Sequence, residues 1–598
     1  MSDPKSPEAE PTPGPGADST GADSPEVPVC PGGDRYAVER WVELTDPETP
    51  WWAMSTGVGL RLQLNEIRQL SVALQEGKVL TGAVKRLLNE AREIFTAEGR
   101  YAAEAFPEIR ENLRRALRER DASDLLPGGA AIAAVEAAQA HLEKCEIIER
   151  LGDDLAEAAE AADDLEGLLL VDERITLLDA ELAFDGYSRE RRSKAAETCR
   201  GHLAAGKTLA ESIAAVISEM GSGNEIYEAL VPLERFDADS EVALRGKMIT
   251  AEEAEERVAE WTDGEHLLNE LDGTVAVLRL SGIRAPDFDA AAGMARDALA
   301  RHVSLWELQA VKYSLGAHLL LRQGAGSAER RPVADGRIKQ LSGLKNYEKA
   351  RKEQEDDIAM RRITDALEQL AQARTGSHGA SLADLWTVSE TLFGGLAADK
   401  SVEVSEQLAS IVEYLYVRDL LGWLGSRLNP DDVDLEGLTR GGGSDGEWAL
   451  TCVRQRVRSL PGRLIEADRP LEWARFGQLK RWDELLKTPK DRCHLQHDLD
   501  DIRGRILAVA NRAYLVRNLF LHQGDPQRAA AMAVTLPIFA SVLRAVVGYI
   551  LRGAGEERLP LVQSELARLK VRHVAATYAA NPGRGPRPLN SFIDLSDD

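Results

Sequence analysis

Hydrophobic positions recur at helical spacing along most of the chain. Ile132, Val135, Leu142, Cys145, Ile148, Leu151 and Leu155 follow one another at three, four or seven residues, which predicts amphipathic helix. Thr208-x-x-Glu211 and Thr250-x-x-Glu253 each open such a run and predict capping boxes. The longest pattern covers residues 491–523. There Leu495, Leu499, Ile502, Ile506, Val509, Ala513, Val516 and Phe520 alternate by four and three, the seam of a bundle or coiled coil. Strand signals are weak. The best, Thr274 to Leu280, fits a helix equally well. A second apolar stretch, 529–551, carries one charge, Arg544, and is long enough for a bilayer. Its alanine content, Pro537 and the lack of a second such segment favour a buried bundle helix. The predicted fold class is all-α, a multi-helix N-terminal region followed by a C-terminal helical bundle.

Polar and Pro/Gly-rich stretches divide this pattern. Residues 1–34 hold eight of the 25 prolines and no Phe, Tyr, Trp, Leu or Ile, so they are expected to be disordered. From about Asn581 the chain turns Pro/Gly-rich and then acidic, a second expected tail. The cluster from Gln323 to Ala328, followed by the charged stretch 345–362, suggests a domain boundary. Gly441 to Gly446 suggests a long loop within the C-terminal domain. The expected organisation is a tail at 1–34, a helical region at 35–345, a bundle at 346–555, and a final helix with an acidic tail at 556–598.

Composition narrows the function classes. At 598 residues and 44% apolar content the chain suits several globular domains. Its five cysteines are scattered without a CxxC pair, so neither a disulfide framework nor a zinc ribbon is indicated. The opening residues lack a basic start and an apolar run, so no signal peptide is expected, and the scattered cysteines suit a reducing cytoplasm. A net charge of −26 argues against a protein that coats nucleic acid non-specifically. Residues 451–528 run against that balance, with 16 lysines and arginines to 10 aspartates and glutamates. Such an excess suits a nucleic-acid-facing patch as well as it suits ordinary charge fluctuation.

Two motifs are rejected on context. Gly201 to Thr208 matches the P-loop pattern, but that chemistry needs a strand before the glycine turn. The preceding Ser188 to Glu197 is a charged helical surface, so Gly206 is read as a helix end and Thr208 as the next cap. Cys493, His494 and His497 have no further ligand cluster near them, so no metal site and no cofactor is expected.

The remaining candidate is Arg517-Asn518-Leu-Phe-Leu-His522, late in the long seam and followed by a Gly524 stop and an Asp525-Pro526 start. The bare arginine-to-histidine spacing also occurs at Arg296/His302, Arg492/His497 and Arg568/His573. Only Arg517 is followed by Asn and sits in an apolar seam with a final apolar helix beyond it. In this setting residues 345–555 resemble the HEPN superfamily, and within it the Apea-like group. Leu382 to Phe393, with Glu390 in an apolar frame, is similar to the first bundle helix of that group.

On an ideal helix, five residues turn through roughly 500°, which leaves positions 517 and 522 about 140° apart. Either the helix loosens before Gly524 or a site is assembled from two chains. The resemblance implies the second, a homodimer whose paired motif helices line one cleft. It further implies a metal-independent endoribonuclease acting on RNA, a toxin or phage-defence effector, with Arg517, His522 and Asn518 as catalytic residues. An imidazole can move the 2′-OH proton near neutral pH, and a guanidinium can fork two phosphate oxygens. By the same analogy residues 35–345 would sense a trigger or hold the nuclease inactive, and a regulatory protein is a further expected partner. The alternative is a non-catalytic HEPN-like module that dimerises or binds RNA within a helical scaffold.

Overall fold

A computed structural model describes residues 32–427 apart from short intervening stretches, then 493–522, 535–553 and most of 560–571. The stretch before 32, the loop at 441–446, the basic segment at 451–492, the Gly524 stop and the acidic tail lie outside the described residues.

The N-terminal part is helical, as its periodicity predicts. Its helices are α1 (Gly32–Thr45), α2 (Leu60–Gln75), α3 (Thr81–Thr96), α4 (Tyr101–Ala105), α5 (Pro107–Ala116), α6 (Ala130–Lys144), α7 (Ile147–Ala161), α8 (Leu165–Phe184), α9 (Arg189–Ala204) and α10 (Leu209–Met220). The seam that begins at Ile132 is split between α6 and α7 by a turn at Cys145 and Glu146, whose φ of 45° breaks the helix. Helix α1 starts inside the stretch expected to be disordered. A Cβ on Gly33 would overlap the Ala159 carbonyl of α7, so the bare glycine lets the two backbones close and buries the start of α1.

The middle of the chain corrects the all-α expectation. Residues 225–332 contain a six-stranded antiparallel sheet made of β1 (Glu225–Phe236), β2 (Met248–Ile249), β3 (Ala276–Ala285), β4 (Tyr313–Leu315), β5 (His318–Gln323) and β6 (Ala328–Pro332). The order is β2-β3-β1-β5-β6, with β4 also paired to β1. Helix α12 (Phe288–Leu308) covers one face, over Tyr227, Ala229, Val231, Leu233 and Leu278. Helix α11 (Ala251–Ala259) and a 3-10 helix at Gly264–Leu271 cover the other, over Leu230, Val277 and Leu320. With both faces buried, β1 has no reason to alternate polar and apolar residues. Pro232 also reads as a strand breaker. Its carbonyl accepts from Gly316 at 2.8 Å, between β4 and β5, so the missing N–H falls where neither of those strands pairs. The Gln323–Ala328 cluster, expected to be a domain boundary, is the turn of the β5–β6 hairpin.

The C-terminal bundle comprises α13 (Leu344–Glu353), α14 (Ile358–Gln372), α15 (His378–Phe393), α16 (Lys400–Arg427), α17 (Cys493–Arg517) and α18 (Leu536–Gly553). Trp386 of α15 is fully buried at its centre, 5.6 Å from the Tyr514 ring and 6.4 Å from the Phe539 ring. Helix α18 buries Leu536, Phe539, Val542, Leu543 and Val546. No described helix is long and apolar enough to cross a membrane.

The bundle and the N-terminal helices share one hydrophobic core, whereas the sheet has two clusters of its own. Arg512 of α17 reaches across to α2 and α3. Its Nε donates to Glu66 at 2.9 Å and its Nη1 to Glu90 at 2.9 Å. Burial works against the Arg512 charge, but the two carboxylates outweigh it and raise its pKa above the ordinary value.

Candidate functional site at the end of helix α17

The apolar seam of α17 holds Leu499, Ile502, Ile506, Val509, Ala513 and Val516 in the core and so fixes the direction in which the helix ends. At Arg517 the α-helix gives way to a π turn, Asn518–His522. A turn closed by i→i+5 hydrogen bonds takes more residues per revolution than an α turn. It therefore brings positions five apart nearer to one face, and such turns are frequent at functional sites. This is local loosening of the helix, the first of the two ways by which the offset of about 140° could be met. Leu519 is fully buried within the turn, which anchors it to the bundle, and Phe520 packs at the margin of the core.

Three polar groups meet here. Arg517 Nη2 lies 3.2 Å from Glu390 Oε2, with the two side chains 21% and 22% exposed. Arg517 Nη1 donates to Asn518 Oδ1 at 3.3 Å. Glu390 stands one turn beyond Trp386 on α15, so the buried indole that centres the bundle also sets the height of the carboxylate. The structure thus brings Arg517 and Asn518 together with Glu390. The backbone of His522 closes the π turn, while its side chain lies outside the described part.

The arrangement supports two kinds of work. A guanidinium at a helix C-terminus, paired with a carboxylate, is a stabilising cap. The same guanidinium, one-fifth exposed and held by Glu390 and Asn518, carries donors of the kind that bind a phosphate.

Elsewhere the P-loop look-alike is resolved. Gly201 lies inside α9 and is preceded by helix from Arg189, with no strand before it among the described residues, and Gly206 turns the chain at φ 85°. Thr208 and Glu211 form the expected capping box, with the Thr208 hydroxyl accepting from the Glu211 N–H at 3.2 Å. Thr250 and Glu253 form the other. The side chains of Cys493, His494 and His497 lie outside the described part. Among the described residues no group of three or more His, Cys, Asp or Glu is placed to hold a metal ion.

Two charged clusters escaped the sequence reading. One is Arg512 with Glu66 and Glu90. Its signal was an arginine next to Ala513 in an otherwise apolar seam. The other is Glu228 of β1 with three arginines, signalled by a single acid within Tyr227 to Leu233. No protein-family model, curated protein or solved structure matches the chain.

Proposed function

We propose that the C-terminal bundle is a HEPN-like endoribonuclease that needs no metal and acts as a homodimer on RNA. The observation that carries the reading is the π turn at Asn518–His522. It departs from α geometry between the arginine and the histidine, with Glu390 and Asn518 already on the guanidinium.

In this mechanism Arg517 exchanges part of its contact with Glu390 for two oxygens of the scissile phosphate and offsets the charge of the transition state. Asn518 holds the guanidinium plane. His522 takes the proton from the 2′-OH as that oxygen attacks phosphorus, and the bond to the 5′-oxygen breaks. The departing oxygen takes up a proton from solvent water, so the products carry a 2′,3′-cyclic phosphate and a 5′-OH. Pairing two copies through the motif helices would bring two such sets into one cleft. Control of a toxin or defence effector of this kind would fall to the N-terminal helices, which share the bundle's core and hold Arg512 five residues before Arg517.

The Arg517–Glu390 pair within one chain favours a second reading, in which the bundle is a non-catalytic dimerisation or RNA-docking module. Product chemistry separates the two. The full-length protein is incubated in EDTA with a single-stranded RNA and with the same RNA carrying 2′-deoxy residues. The nuclease reading expects 2′,3′-cyclic phosphate and 5′-OH ends from the first and no cut at the deoxy positions. Binding without cleavage would favour the docking module, and 5′-phosphate ends would overturn the proposed chemistry.

A further inference from the structure

Outside the bundle, one face of the sheet gathers positive charge inside an acidic chain. Glu228 of β1 is 7% exposed and sits among Arg257 of α11, Arg279 of β3 and Arg322 of β5. Arg257 Nε donates to both carboxylate oxygens at 3.0 Å, and Arg279 Nε donates to Oε1 at 2.5 Å. Arg322 stands further out, its Nη2 at 3.7 Å from Oε2, an ion pair longer than a hydrogen bond. On the same face Glu270 holds His318 and Arg330, so that carboxylate is taken.

The donor count does not close within the protein. One carboxylate accepts roughly four hydrogen bonds, whereas three guanidinium groups carry about fifteen N–H donors. Charge does not close either, since three positive groups face one negative one. Two donors at the cluster are buried with no partner among the described residues, Arg322 Nε and the indole Nε1 of Trp261. Trp261 is 4% exposed, and the Arg322 guanidinium lies 5.6 Å from its ring centroid. The Arg322 head is thus held over an aromatic face as well as beside Glu228. The arginine side chains remain between 26% and 37% exposed, so the cluster is open to solvent.

We propose that Arg257, Arg279 and Arg322, with the Trp261 indole beside them, form a binding site for a phosphate-class oxyanion. Glu228 acts as the fixed counter-charge that holds the arginines in place when the site is empty. A tetrahedral oxyanion presents acceptors in several directions and two negative charges, which matches both surpluses. Arg322, whose Nη2 stands 3.7 Å from Glu228, provides the fork, and Arg257 and Arg279 supply the N–H groups that Glu228 does not take. The site is independent of the nuclease reading, because none of its residues belongs to the bundle.

The test is calorimetric titration of the full-length protein with inorganic pyrophosphate at fixed ionic strength in chloride. The same titration is run on Arg322→Ala, Arg322→Lys and Trp261→Phe, with circular dichroism to confirm folding. The wild type is expected to bind saturably. Arg322→Ala should weaken binding about tenfold or more, as the loss of charge-assisted hydrogen bonds implies. Arg322→Lys keeps the charge without the fork and should fall between the two. Trp261→Phe keeps the stack without the N–H and should weaken binding a few-fold. A second arm titrates a single-stranded RNA with hydroxyl ends. Arg322-dependent binding of RNA as well as pyrophosphate identifies a nucleic-acid backbone as the source, and binding of pyrophosphate alone identifies a small phosphorylated ligand. No saturable binding of either, or an Arg322→Ala protein that binds as tightly as the wild type, overturns the site.

Discussion

Arg512 and Arg517 stand five residues apart near the end of one helix, and each faces a glutamate from another element. They do different work. Arg512 is wholly buried, its head shared by Glu66 and Glu90, and it joins the bundle to the N-terminal helices. Arg517 is one-fifth exposed, its partner Glu390 equally so, and the helix changes geometry directly after it. A buried, paired charge is architecture, because breaking the pair strands a charge in the core. A partly exposed pair at a helix end adds little to stability and leaves the guanidinium reachable. The Glu228 cluster extends the second case, with more donors than its carboxylate can take.

The largest expected effect comes from breaking the buried pair. Arg512→Ala leaves Glu66 uncompensated and should cost about 3–5 kcal/mol in denaturant unfolding. Arg512→Met combined with Glu66→Leu removes the two fully buried charges, leaves only the partly exposed Glu90, and should recover most of that loss. If the single variant is as stable as the wild type, the junction is not held by this pair.

A pH series sharpens the contrast at Glu228. Burial pushes its pKa up, but hydrogen bonds from Arg257 and Arg279 outweigh this and hold it below the ordinary carboxylate value. A lowered folded-state pKa contributes stability that is present above the unfolded value and is lost as pH falls through the folded value. The melting temperature of the wild type should therefore approach that of Glu228→Gln as the pH drops below the ordinary carboxylate range. A gap between them that stays constant into acid would remove this role for Glu228.

The smallest effect on stability is expected at the site itself. Arg517→Ala should cost about 1 kcal/mol or less in the same unfolding measurement. A loss comparable with that of Arg512→Ala would make Arg517 a core residue and remove the distinction between the two.

The helical parts were legible because each helix has one buried stripe, and Leu499 to Val516 print that stripe into the sequence at alternating four and three. The sheet was not. β1 is buried on both faces and carries Pro232, so Tyr227 to Leu233 reads as an apolar run of no fixed period. Glu390, Arg517 and Asn518 could be picked out as motif residues, since the resemblance pointed to their segments. Their meeting could not be read, because it depends on how α15 packs against α17. The π turn was also hidden. A spacing of three and four continues to Phe520, yet the turn puts Leu519 fully in the core and leaves Phe520 only partly buried. Arg512 was visible as a charge beside a buried stripe, but its partners lie more than 400 positions earlier in the chain.

The most direct test of the central claim is single-turnover cleavage of RNA in EDTA by the full-length protein and by Arg517→Ala and His522→Ala, each verified as folded. The account predicts cleavage by the wild type and a loss of about a hundredfold or more in both variants, the scale of removing an acid–base group or a charge-stabilising donor. Cleavage by both variants at the wild-type rate would contradict it.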